Sequence, residues 1–386
     1  MPSPIPAYTQ YSGIWNISSQ ANAKAAGTWP SPPAPYLLTW GAGVAGGLGL
    51  GNSNTYSSPK QVGSLTTWLN VASGIYSSAA IKTDGTLWMW GQNLYGELGL
   101  GTITYYSSPK QVGSLTNWST VTTKGYSTFA IKTNGTLWSW GNNGSGELGL
   151  GNMTNYSSPK QIGSLTTWAS VSDNGYSTYA IKTDGTLWAW GDNSFGKLGL
   201  SNNTSYSSPK QVGALTNWSK IGSAYGGASA IALKTDGTIW TWGYNGQGAL
   251  GLGNITPYSS PKQVGALTNW TSIAGFPRSS AAIKGGALWI WGRNNTYGQL
   301  GLGNLTNYSS PKQVGALTNW LSLSGGGYSV TSLKTDGTLW VWGQNDQGQL
   351  GLGNSTGYSS PKQVGSLTSW LTVACGYKNT IAIANV

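Results

Sequence analysis

A chain that moves protons or attacks carbonyls needs histidine, paired carboxylates or an activated thiol, and this one is poor in all three. Its 386 residues include no His, nine Asp and Glu together, and one Cys, Cys375. Without imidazole there is no Ser-His or Cys-His nucleophile pair and no His-ligated metal site, and a single thiol closes no intrachain disulfide. Asp84, Asp184, Asp236 and Asp336 each precede a Gly in a recurring turn. Glu97 and Glu147 share one repeated position that Lys197, Ala249 or Gln299 fills elsewhere. Asp173, Asp192 and Asp346 are off that pattern and form no Glu/Asp pair within one repeat, so neither a two-carboxylate mechanism nor a calcium loop is supported. Gly46-Gly47-Leu48-Gly49-Leu50-Gly51 has the glycines of a phosphate loop, but no Lys-Ser/Thr follows and the string recurs as a turn in every repeat. The chain is expected to be no enzyme and to use no metal or cofactor.

The residues that vary between repeats point to binding. Three stretches differ from unit to unit: Gln92–Glu97, Thr102–Tyr105, Ser73–Ser78 and their equivalents. Loops on a rigid scaffold are where recognition concentrates, and aromatic and Arg side chains make strong contact anchors. Tyr95, Phe195, Tyr244, Arg293, Tyr297 and Asp346 are therefore the candidate binding residues. Formal charge is +11, yet no basic residues run together. Seven lysines belong to a recurring Pro-Lys-Gln, starting at Lys60 and Lys110, and six to a turn approach, starting at Lys82 and Lys132. Spread this way they are expected to be solvated side chains, not a nucleic-acid patch.

The elements that would position these loops are strands. Ser-Ser-Pro-Lys-Gln recurs with its Pro at Pro59, Pro109, Pro159, Pro209, Pro261, Pro311 and Pro361, a period of about fifty. Twenty of the 22 Trp fall on the same lattice, Trp15 and Trp29 being the exceptions. Within one unit, Val71-Ala72-Ser73, Ala79-Ala80-Ile81-Lys82, Leu87-Trp88-Met89-Trp90 and Lys110-Gln111-Val112 read as four short strands. Asp84-Gly85 between the second and third signals a hairpin, expected as a type I′ turn. Alternation puts Trp88 and Trp90 on one face of their strand and Leu87 and Met89 on the other. Pro109 suits a strand start or an outer edge. The lattice begins with the second half of a unit, Leu37 to Trp68, and ends with a first half, Trp370 to Val386. Together they complete one unit. The expected fold is therefore all-β: a seven-bladed propeller over residues 36–386, four strands per blade, closed by a blade that both chain ends share.

The unit Val-x-x-Gly…Ala-Ile-Lys-Thr-Asp-Gly-Thr-Leu-Trp-x-Trp-Gly-x-Asn-x-x-Gly-x-Leu-Gly-Leu-Gly, cleanest at 71–101 and 121–151, resembles the repeats of the regulator of chromosome condensation and its bacterial and viral relatives. The resemblance covers residues 36–386 and implies a seven-bladed propeller. Ser77, Ser127 and Ser177 stand where the family commonly has His. The eukaryotic prototype is a nucleotide exchange factor for a small GTPase that works through a protruding insertion. The units here are nearly uniform, the largest excess being two residues near Tyr225-Gly226-Gly227.

Residues 1–35 lie outside the lattice and hold seven of the 16 Pro. Ser18–Ala26 fits a short helix, and Thr28-Trp29-Pro30-Ser31-Pro32-Pro33-Ala34-Pro35 a stiff linker. Gly13-Ile14-Trp15-Asn16-Ile17 through Trp29-Pro30 is similar to short segments that precede variable domains in bacteriophage virion proteins. That second, shorter resemblance implies an anchor, with Trp15 and Trp29 as docking residues. The leading expectation is a non-catalytic structural and binding protein of a phage particle. Residues 1–35 would contact other virion proteins, and the propeller would meet a host surface glycan or protein. The alternatives are a cytoplasmic regulator of a small GTPase or chromatin, and a glycan-binding protein of a bacterial surface. No apolar run is long enough for a signal-peptide core or a membrane span, so no membrane insertion is expected.

Overall fold

A computed structural model of the chain describes residues 34–223, 226–294 and 297–386. Trp15, Trp29 and the expected helix and anchor lie outside the described residues. What is described is seven four-stranded antiparallel sheets, each consecutive in sequence except one. In the first consecutive sheet β3 (Trp68–Ser73), β4 (Ser77–Lys82), β5 (Leu87–Gly91) and β6 (Tyr106–Gln111) lie side by side. The β3-type strands touch one another from blade to blade around a central axis, and the β6-type strands form the half-exposed rim. The exceptional sheet has the order β2-β1-β28-β27, combining β1 (Pro35–Gly41) and β2 (Tyr56–Gln61) with β27 (Trp370–Cys375) and β28 (Asn379–Asn385). The seam between the chain ends runs without a break from Pro35↔Asn385 to Gly41↔Asn379. The seven-bladed propeller and its shared blade are as the repeat pattern predicts.

Tryptophan is the wedge between blades. Trp40, Trp90, Trp140, Trp190, Trp242, Trp291 and Trp342 are each fully buried. Every one sends its indole N–H to a backbone carbonyl of the preceding blade, at 2.7–3.1 Å. The expected alternation also holds. Trp90 packs with Leu37, Val62 and Ile383 of the preceding blade, with Trp88 against the same cluster. Leu87 and Met89 pack with Trp118, Val121 and Trp140 of the following one. Each strand thus faces two hydrophobic layers, and its two residue sets serve different interfaces. Pro109 lies within the rim strand, in the stretch where the register slips between Met89↔Lys110 and Gly91↔Tyr106. An edge position with a bulge tolerates a residue that donates no hydrogen bond.

Two expectations need correction. The Asp-Gly hairpins are not type I′. Only Gly85 takes a positive φ (+77°), and its N–H closes the turn on the Lys82 carbonyl at 2.9 Å. The reason is Asp84, whose carboxylate accepts from the Thr86 N–H at 2.9 Å and the Thr86 hydroxyl at 2.7 Å. That Asx arrangement favours a longer turn with a single left-handed Gly. At Gly285-Gly286, where no such carboxylate exists, both φ are positive and Lys284 pairs directly with Ala287. The second correction concerns the turn-approach lysines. Lys82, Lys132, Lys234 and Lys334 are buried, with their ammonium groups 3.7–3.9 Å from the ring centre of Trp88, Trp138, Trp240 and Trp340. These are cation–π contacts between indoles, not solvated charges. The Pro-Lys-Gln lysines are exposed, as expected.

Candidate functional site

The up-and-down course of each blade sends two kinds of loop to each end of the ring. At one end lie the β4–β5 hairpins and the short links such as 112–117, nearly identical from blade to blade. At the other lie the β3–β4 turns and the long loops such as 92–105, where all three variable stretches fall. The structure therefore gathers Tyr95, Phe195, Tyr244, Arg293, Tyr297 and Asp346 on a single face, here called the loop face. Six of the seven long loops are held by a buried Asn, the loop after β1 having Gly43 there. The Asn93 amide donates to the carbonyls of Thr102 (2.8 Å) and Thr104 (2.9 Å), while its Oδ1 accepts from the Leu98 N–H (2.9 Å). The two residues after that Asn are left free to vary.

The six candidates are not six isolated side chains. Tyr95 meets Tyr126 edge-on at 5.3 Å, and Phe195 meets Tyr244 at 5.2 Å. Arg278 lies over the Tyr244 ring at 5.5 Å. Tyr297 packs on Tyr328 at 5.4 Å, and Arg293 lies over that same ring at 5.5 Å. Asp346 pairs with Lys378 at 3.0 Å. Partial burial works against its charge, but Gln349 and Lys378 together hold its carboxyl below the usual range. Sequence reasoning marked the stretch but not the partners in it: Tyr126, Arg278, Tyr328 and Lys378 each occupy the residue just before the β4-type strand, as Tyr76 and Tyr176 do. With Tyr377 they form a collar around the axial mouth. Burial raises the phenols of Tyr126 and Tyr377, and their neighbours add to it: Tyr95, Tyr76 and Tyr176 for the first, Tyr328, Tyr76 and Tyr297 for the second. Tyr recurs just before the β4-type strand at Tyr76, Tyr126, Tyr176 and Tyr328, which reads as framework inside a stretch that otherwise varies. The available signal was a large aromatic recurring at a position with no core to fill.

Below the collar the axis is crossed by polar contacts. The Lys124 ammonium donates to the Gly325 carbonyl on the far side at 3.2 Å. Asp173, 1% exposed, accepts from the Thr122 hydroxyl at 3.1 Å and the Lys124 N–H at 3.3 Å. Burial outweighs these bonds and the Lys124 charge, raising its carboxyl from 3.8 to about 6. The folded state thus holds this proton more tightly than the unfolded chain. The stabilisation is full below about pH 4 and is lost as pH rises through about 6. Asp173→Asn, a mimic of the protonated acid, is expected to gain up to ~3 kcal/mol on the wild type between pH 4 and 7. Urea denaturation at both pH values checks this. Parallel pH curves would show that Asp173 titrates normally.

Among the described residues no group of three or more His, Cys, Asp or Glu could hold a metal, and no helix is long and apolar enough to cross a membrane. Clefts of 380–420 Å³ recur between neighbouring blades, lined by Leu65, Trp68, Trp88 and Pro109 together with Gly49–Gly51 of the long loop, or their equivalents.

The regulator of chromosome condensation (RCC1) repeat model matches seven times, at 36–81, 84–131, 134–181, 184–233, 236–283, 285–333 and 336–383. The chain belongs to the RCC1 repeat family. Each RCC1 repeat begins near a hairpin turn and ends in the next blade, so two strands of every blade come from each of two repeats. The shared blade applies to the chain ends the interleaving that joins every other pair. Over 72 residues the chain is 39% identical to RCC1 domain-containing protein RUG3, mitochondrial, of Arabidopsis thaliana, a match spanning 18% of this chain and 16% of that protein. Human WBSCR16 superposes with a TM-score of 0.81 at 20% identity, covering 91% of this chain and 99% of that one. Prp20p of Saccharomyces cerevisiae, described with its binding to Gsp1p and histones, gives 0.80 at 19% identity over 96% and 95%.

Proposed function

We propose that this RCC1 propeller is a non-catalytic platform that holds a protein partner against its loop face, as a regulator does. The observation that carries the reading is the concentration of blade-to-blade differences on that face. Gly and Asn dominate its loops, with Tyr at the turns and Phe and Arg at a few points. This is the composition of adaptable recognition surfaces, where rigid aromatic rings supply contact area at small entropic cost. The likeness to Prp20p makes histones and a small GTPase the first partners to try. Binding of the purified chain to histone octamers and to a nucleotide-free small GTPase, measured by interferometry, tests it. A Phe195→Ser, Tyr297→Ser double variant is expected to lose about tenfold or more in affinity with its melting midpoint unchanged. Equal binding by the variant would remove the loop face from the reading. A nucleotide-release assay then separates binding from exchange.

Display on a phage particle is the second reading. It is favoured by the similarity of residues 13–30 to virion segments, and by where the ring begins. Pro35 pairs with Asn385 at the hairpin face, so the preceding chain joins the ring on the side away from the variable loops. Mass spectrometry of purified particles decides it. A chain starting at residue 34 is expected to fold but to be missing from particles, and its normal incorporation would refute the anchor.

A further inference from the structure

The loop face carries two clusters in which a tyrosine ring meets both an aromatic side chain and a guanidinium. In the first, Phe195, Tyr244 and Arg278 come from three consecutive blades, with Phe195 against the edge of the tyrosine and the guanidinium over its ring. In the second, drawn from two blades, Tyr297 packs at a tilt on Tyr328 and the Arg293 guanidinium lies over that same ring. The outer aromatics are exposed, Phe195 by 55% and Tyr297 by 36%. Phe195 and Arg278 both have left-handed backbone, with φ of +64° and +60°. Arg278 is the second central residue of the tight turn Phe276-Pro277-Arg278-Ser279, where a positive φ ordinarily calls for Gly. A bulky cation kept there against its backbone preference points to a use for the side chain. Among the described residues the ion pairs are Lys197–Asp192 and Lys378–Asp346, and Arg278 is in neither. Stacking on Tyr244 fixes the guanidinium plane and leaves its N–H edge to meet a planar acceptor.

We propose that the arc formed by Phe195, Tyr244, Arg278, Arg293, Tyr297 and Tyr328 binds an acidic polypeptide segment. Carboxylates would meet the stacked Arg278 guanidinium, and apolar side chains would lie on the exposed aromatic rings beside it. This rests on the platform reading and adds the chemistry of the partner. The two clusters share the blade that carries Arg278, Arg293 and Tyr297, so an extended segment can reach both, and the second contact gains from the first.

Fluorescence anisotropy with a labelled peptide of alternating Glu and Leu tests the proposal, with a Lys-Leu peptide as the control. The Glu peptide is expected to bind more weakly as salt rises, and the Lys peptide not to bind. Arg278→Gly removes the guanidinium while suiting the left-handed backbone. It is expected to weaken Glu-peptide binding about tenfold or more with the melting midpoint equal or higher. Lys110→Gln, on the rim, removes the same charge and is expected to bind as the wild type does. The proposal is overturned if the Glu peptide does not bind, if Arg278→Gly binds it equally, or if Lys110→Gln weakens it as much, which would reduce the effect to net charge. Those failures leave the platform reading standing as long as the Phe195→Ser, Tyr297→Ser variant still loses its protein partner.

Discussion

Replacing Trp190 by Ala is expected to lower the unfolding free energy by about 3–5 kcal/mol. The indole is fully buried and packs among Phe129, Ile131, Leu148 and Ile162 of the preceding blade. It lies edge-to-face on Trp168 at 6.1 Å and donates to the Glu147 carbonyl at 2.7 Å. Removing it opens a void between two sheets and leaves the Glu147 carbonyl with the Thr178 hydroxyl, at 2.8 Å, as its remaining side-chain donor, and the void is the larger loss. Collapse cannot fill the void, because Gly149, which lies against the indole with φ +73°, is held by its own turn. Trp188→Ala is the comparison. Trp188 is half-buried on the same strand, and its N–H donates to the Thr186 hydroxyl of its own hairpin at 2.9 Å. Its loss is expected to cost clearly less. Urea denaturation of both variants checks the order, and a Trp190→Ala loss below about 1 kcal/mol would mean the wedge does not hold the blades together.

The framework was legible because repetition and alternation report burial directly. A residue such as Trp90, recurring every fifty positions in a strand of period two, has one compatible environment: a sheet face pressed on another sheet. The half-units at the two chain ends have one compatible partner, each other. What was not legible depended on choices between neighbours of similar pattern. Asp84-Gly85 reads as a two-residue turn until the Asp84 carboxylate is seen to take both donors of Thr86. Lys82 reads as a surface charge until the two indoles beside it are placed.

The loop face shows the same division. Phe195, Tyr244 and Tyr297 stood out because they break the repeat, and they do share one face. Arg278 and Tyr328, which Tyr244 and Tyr297 touch, lie in the third variable stretch, where a recurring tyrosine reads as lattice and local pattern does not say which ring an Arg will cover. Lys124 and Asp173 were harder still. Lys124 reaches Gly325 over 201 positions of sequence, a contact that exists only because a closed ring brings opposite blades together. Local pattern carries no trace of a contact made across the axis.

That closure can be tested at the seam, where Ile381→Pro is expected to cost about 4 kcal/mol or more. Ile381 is buried in β28, a central strand, pairing with Thr39 of β1 on one side and Ala374 of β27 on the other. Proline there removes a ladder hydrogen bond and pushes its ring into the neighbouring strand. Ala79→Pro breaks the equivalent position of β4, a fully buried one. But β4 is tied by short turns to both neighbours, so its sheet re-forms around the defect. The β28–β1 seam has no connecting turn, and once it is loosened its two sides re-pair only against the closure entropy of a whole-chain loop. The opened ring then exposes Leu37, Trp40 and Trp90, which predicts rapid hydrogen exchange at the amides of residues 37–40. Ile381→Ala subtracts the side chain from the comparison. If Ile381→Pro, so corrected, costs no more than Ala79→Pro and residues 37–40 stay protected, the ring is held by its seven interfaces alone and the seam is incidental.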